Sequence, residues 1–194
     1  MKSNEVKKEL AMSYDELVKY LLKKYGAAKY DYFKDLPNNI KDKRVKRSKE
    51  GLLCHHIDED KAIMLSTYAY AVISPPQYQK ASRLVYCNIL EHLILHIKIA
   101  EEVQPGSLRM PGVGGAVNYM CPQINDYYNG YEYKREYQRK MFSLIKNNYD
   151  DYINVLNYFL GLGKRSMYSY IITKDKIASG WDGHIIGKIY AELD

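Results

Sequence analysis

A chain of 194 residues with 46% hydrophobic and 27% charged side chains can bury one core and is too apolar to stay disordered. Lys and Arg outnumber Asp and Glu by 29 to 23, a net charge of +6 that suits a polyanionic partner wherever the excess is clustered. The three cysteines (Cys54, Cys87, Cys121) form no C-x-x-C pair, which argues against a disulfide framework or zinc knuckle. The N-terminus MKSNEVKKEL lacks the apolar stretch of a signal peptide, and no run approaches the roughly 20 apolar residues of a membrane span. The expectation is a cytoplasmic protein with free thiols and no membrane partner.

In chain order, Ser13-Tyr14-Asp15-Glu16 is a capping-box pattern, and Leu17, Leu21 and Leu22 continue at helical spacing until Gly26. After the turn-like Leu36-Pro37-Asn38-Asn39, the segment 41–49 (KDKRVKRSK) carries six basic residues against one acid. It reads either as a solvated connector or as an arm contacting phosphates through Lys43, Arg44, Lys46 and Arg47. The apolar runs 51–57 (GLLCHHI) and 61–66 (KAIMLS) predict a two-stranded ribbon turning at Asp58-Glu59-Asp60.

A proline-rich loop over 74–79 precedes a long helix predicted from Leu84 to Val103 and closed by Gln104-Pro105-Gly106. The glycine-rich stretch 110–118 lacks the Lys-Ser or Lys-Thr of a phosphate loop and reads as a plain turn. Two helices follow, over 132–148 and 147–162, the first with Lys134, Arg135, Arg139 and Lys140 interleaved with Tyr; this face is read as solvation. The alternating run SMYSYIIT and the turn Ser179-Gly180-Trp181-Asp182-Gly183 predict a terminal hairpin. The 21 Tyr against three Phe read chiefly as packing residues, though a Tyr ring also stacks on bases.

Four of the five histidines fall into two tight pairs. His92 and His96 are spaced to share one helix face, whereas His55 and His56, adjacent on a strand, face opposite sides and must do different jobs. Either helix histidine alone is an ordinary packed residue; the combination of the two pairs shifts the odds toward a shared metal ion.

The order His-His on a ribbon, then His-x-x-x-His on a helix, carried by GLLCHHIDED and YQKASRLVYCNILEHLILHIKI, resembles the HNH, or ββα-metal, nucleases in their colicin-like branch. The resemblance implies an α+β fold with a ββα-metal unit over 46–103, preceded by a helix and basic connector over 1–45 and followed by a mainly helical extension of the same domain over 104–194. It implies His56 as general base and His55, His92 and His96 as metal ligands. The family's Asn falls at Arg83, to which a phosphate-contacting role is assigned instead; Asn88 is only one helical turn before His92 and does not replace it. Asp58, Asp60 and Glu91 lie nearby in sequence, as second-sphere partners or surface residues.

The expected activity is hydrolysis of phosphodiester bonds in nucleic acid, foremost double-stranded DNA, with one divalent ion. Three imidazoles favour zinc, nickel, cobalt or manganese over magnesium. Two alternatives stay open: a catalytically weakened scaffold that binds nucleic acid or acts as an inhibitor for a phage or mobile element, and a structural zinc module.

Overall fold

The computed structural model describes residues 3–104, 110–164, 172–181 and 186–194. Its fold is α+β, predominantly helical with two small antiparallel sheets. Helix α1 (Ser3–Leu10) leads into α2 (Tyr14–Tyr25), where the Ser13/Glu16 capping box forms in both directions and Gly26 ends the helix at φ +80°. The apolar face of α2 buries Tyr14, Leu17, Val18 and Leu21. A short hairpin follows, β1 (Phe33–Asp35) with β2 (Ile40–Lys41), turning through a left-handed Asn39.

The central sheet pairs β3 (Leu53–His56) with β4 (Leu84–Cys87), with His55 opposite Val85 and His56 opposite Leu84. This corrects the expected ribbon. The partner of the His-His strand is not the run 61–66, and Asp58-Glu59-Asp60 is not a hairpin turn but part of a 3-10 turn over Ile57–Asp60. The connection to β4 then passes through a short helix, α3 (Tyr68–Ala71).

Helix α4 is likewise shorter than expected, running Ile89–Glu102, because residues 84–87 are strand. Its start is fixed by a second capping box, in which the Asn88 side chain accepts from the amides of Leu90 and Glu91 while Glu91 accepts from the Asn88 amide at 2.7 Å. Eleven of its residues are buried, so α4 is the core helix, covered on nearly every side. Helices α2 and α1 pack on it, and so does the segment after residue 110.

That segment, predicted as a plain turn, is helical: α5 (Val113–Gly115), a π-helical stretch over Ala116–Met120, and α6 (Cys121–Tyr128). Close approach to α4 explains two of its glycines, Gly112 and Gly115. Gly112 takes φ +84°, and a Cβ there would stand 2.2 Å from the His96 carbonyl oxygen. Helices α7 (Glu136–Ser143) and α8 (Tyr149–Gly161) fall within the two predicted spans. The predicted terminal hairpin lies partly outside the described residues; the described tail carries helices instead, α9 (Lys174–Ala178) and α10 (Ile186–Glu192). All three cysteines are free. Among the described residues, no helix is long and apolar enough to cross a membrane.

Candidate metal centre

His55 and His56 close β3, and the alternation of the strand separates them. His55 turns toward α4, where His92 and His96, one turn apart, present their rings; the three ring centroids lie 4.9–5.1 Å from one another. Nδ1 of His55 stands 3.1 Å from Nε2 of His92. The 3-10 turn after β3 brings Glu59 back into this group, with Oε2 3.2 Å from Nε2 of His96 and 3.6 Å from Nδ1 of His55. One donor atom from each of the four residues lies within 4.8 Å of every other. A tetrahedral ion with metal–nitrogen bonds of 2.0–2.1 Å would hold its ligands about 3.3 Å apart. The spacing of these four donors is therefore of the right size for a single cation.

Hydrogen bonding sets the tautomer of His55. The Tyr14 hydroxyl donates to the carbonyl oxygen of Ile57 at 2.8 Å and has no second proton, so at 2.9 Å it accepts from Nε2–H of His55. The bare lone pair on Nδ1 is thereby left facing Glu59 and His92. His96 is seated against Gly115, where a Cβ would come within 2.4 Å of its Cε1 and Nδ1.

The electrostatics call for positive charge. Burial drives His55 well below its ordinary pKa and, with the neighbouring His96, takes His92 down to about 3, so both stay neutral. Burial works against ionisation of Glu59, but the hydrogen bond from His96 opposes it and the carboxyl is held below its usual range. An ionised, largely buried carboxylate beside the neutral rings of His55 and His92 is a donor set that a divalent cation would neutralise. These four residues can hold a metal ion.

His56 faces away from this group. Its Nε2 donates to Oε1 of Gln79 at 2.9 Å, while the Gln79 amide group donates to the Leu65 carbonyl at 3.2 Å. Nδ1 is thus the basic nitrogen, and burial, only partly offset by Glu59, lowers the pKa and keeps the ring neutral. The Tyr32 ring covers it at 4.5 Å between centroids.

Arg83 is engaged elsewhere. Its guanidinium forks onto Asp58 through Nε and Nη2, both at 2.6 Å, and Lys61 joins the same carboxylate at 2.8 Å. Asp58 itself is buried rather than a surface turn residue, Asp60 is exposed, and Glu91 turns to Lys24 and Tyr25. Of the candidate phosphate contacts, Arg44 is paired with Asp42 and lies over the Tyr30 ring, and Arg47 is paired with Glu50. Lys43 and Lys46 are exposed.

Glu59, Tyr14, Gln79 and Gly115 were not among the residues singled out from sequence. Glu59 alone carried a usable signal, a carboxylate four positions after His55. Comparison of the chain with family models, with curated proteins and with solved structures finds no match.

Proposed function

We propose that the chain is a metal-dependent phosphodiester hydrolase of the HNH type, acting on nucleic acid and in particular on duplex DNA. One observation carries this reading: a single strand directs one imidazole into a four-donor cation centre and the next, with its basic nitrogen defined, to the other side. A bound cation would supply charge stabilisation at the scissile phosphate. His56 would accept the proton of the attacking water, its pKa already lowered so that the base form prevails at neutral pH. Gln79 would fix the ring, its Oε1 accepting the hydrogen bond from Nε2–H throughout. Exposed Lys43 and Lys46 would hold the backbone, with Arg44 joining on exchange of its Asp42 partner.

The test is plasmid cleavage by metal-stripped protein supplied in turn with magnesium, manganese, nickel or zinc, beside His56→Ala. Cleavage by the parent and none by the variant supports the proposal; equal cleavage by both overturns it.

A second reading has its own observation. Glu59 stands where an open catalytic site keeps a position for water, and four protein donors are the mark of a closed, structural ion site. With Arg83 committed to Asp58, this favours a scaffold that binds nucleic acid without cutting it. Tight ion binding with no cleavage under any metal would select that reading.

A further inference from the structure

A cleft of about 700 Å³ opens between α6 and α7, well apart in sequence from the histidines. Its aromatic wall is organised as a platform. Tyr127 stacks on Phe142 at 4.8 Å and 15°, and Phe142 stacks on Tyr133 at 4.4 Å and 20°, so that the three rings form a near-parallel column. Tyr131 meets Tyr133 edge-on and is 46% exposed. Phe142 and Tyr133 are buried, and the aromatic cluster reaches the cleft mouth through the half-buried Tyr127 and the exposed, edge-on Tyr131.

The rim is cationic. Lys134, Arg139 and Lys146 line the cleft, and among the described residues none of them makes an ion pair with an acid. Arg139 spends one guanidinium nitrogen on the carbonyl oxygens of Tyr133 and Lys134, neutral acceptors that leave its positive charge uncompensated. Glu132 is the one acid of the lining, against three cations. Helix α7 packs directly on the turn Ser48–Glu50, where the backbone of Lys140 would meet a Cβ on Gly51 at 2.8 Å. The cleft is thus anchored to the segment that bears Lys43, Arg44, Lys46 and Arg47.

From this juxtaposition of an aromatic wall, exposed at Tyr131 and in part at Tyr127, with three cations that make no ion pair we infer that the cleft binds a nucleoside phosphate unit, with the base laid on a tyrosine ring and the phosphate on the lysine and arginine rim. Every base has a π face, so recognition is by stacking and charge and tolerates sequence. An acidic peptide would satisfy the rim but leave the platform unused. The inference is independent of the histidine centre and would give the chain a hold on unpaired nucleotides that a duplex-gripping basic segment does not provide.

The experiment uses the full chain stripped of metal and kept in chelator, so that hydrolysis plays no part. A fluorescent single-stranded oligonucleotide is titrated by anisotropy, and a nucleoside monophosphate is added as competitor. Tyr131→Ala, at an exposed position, is expected to weaken binding roughly 5- to 150-fold, the effect of losing one base stack. Lys146→Ala is expected to reduce the slope of log K against log salt by about 0.7, one phosphate contact. Circular dichroism confirms that both variants are folded. Displacement by the monophosphate identifies a free nucleotide as ligand, and a strand that resists displacement identifies an unpaired nucleotide within it. A parent that binds neither, or folded variants whose binding and salt slope match the parent, overturns the inference. Failure of plasmid cleavage alone leaves it standing, because this measurement contains no cleavage step.

Discussion

Tyr14 and His55, on different elements and 41 positions apart, share one hydrogen bond whose direction is dictated by a third group, the Ile57 carbonyl. Tyr14→Phe keeps the packed ring and removes the hydroxyl that accepts from Nε2–H of His55. The tautomer is then free to invert and put a proton on the ligating nitrogen. Loss of such outer partners typically weakens metal binding about 10- to 100-fold. Competition against a chromophoric chelator measures this, and unchanged affinity would remove Tyr14 from the account of the centre.

Glu59→Gln retains the shape of the side chain and deletes the one anionic donor among the four. Metal affinity should fall by about tenfold or more, since the cation then meets imidazoles alone and the fourth position is a weak amide ligand. If titration calorimetry finds the variant as tight as the parent, Glu59 is not a ligand and the closed-site reading fails with it.

Gly115→Ala sets two effects against each other. The position is helical with negative φ, so helix propensity alone would make alanine stabilising by about 1 kcal/mol. The added Cβ would meet the His96 ring at 2.4 Å, an overlap of the kind that typically costs about 1–3 kcal/mol. The steric cost is expected to win, with lower stability in urea and weaker metal binding as His96 is pushed aside. A more stable variant with parental affinity would show that the ring has room to move.

Glu9 supplies a pH dependence remote from the histidines. Its carboxyl is fully buried, neither oxygen has a hydrogen-bond partner among the described residues, and the Lys24 ammonium, 3.8 Å away, sits closer to Glu5 and Glu91. Burial, reinforced by the charge of Glu91, pushes its pKa from 4.5 up to about 8. The folded chain therefore keeps a proton that the unfolded chain releases, and stability should decline as pH rises from 4.5 through about 8. Glu9→Gln, neutral at every pH, should flatten that decline in thermal melts. An equally steep decline in the variant would place the titrating group elsewhere.

Arg83→Ala tests whether that side chain is structural. It leaves the buried Asp58 carboxylate with Lys61 as its remaining partner, an exposed lysine. A loss of about 1–2 kcal/mol in denaturant unfolding is expected, the scale of charge-assisted hydrogen bonds at a partly exposed pair. A variant as stable as the parent but slow in cleavage would return Arg83 to the phosphate.

The site was legible where local chemistry decides structure and obscure where the tertiary fold does. The Ser13–Glu16 cap could be read from four consecutive residues, and the helical spacing of His92 and His96 set them on one face. Asn88-Ile-Leu-Glu91 is the same kind of capping signature, and it would have ended the strand Leu84–Cys87 and begun α4 at the observed place. KAIMLS and LVYC are both short apolar runs, and periodicity does not choose between partners at different separations, so the pairing of β3 with β4 cannot be read from pattern alone. Gln79 and Tyr14 reach the histidines only through the folded chain, from a proline-rich loop and a helix start whose sequences explain themselves without a site. Glu59 looked like a turn acid because the 3-10 bend that returns it to His55 replaces the hairpin expected there.

The donors of the centre and their outer partner come from α2, β3, the turn after it and α4, so no single element assembles them alone. A cation taken up there would bind the folded chain and not the unfolded one, and mass action would then make folding depend on free metal. At a concentration 100 times the dissociation constant the added stability is about 2.7 kcal/mol. The melting temperature would climb with each increment of metal and fall back on chelation, which makes the chain's thermal stability a gauge of the cation supply around it, even if it never cuts a phosphodiester.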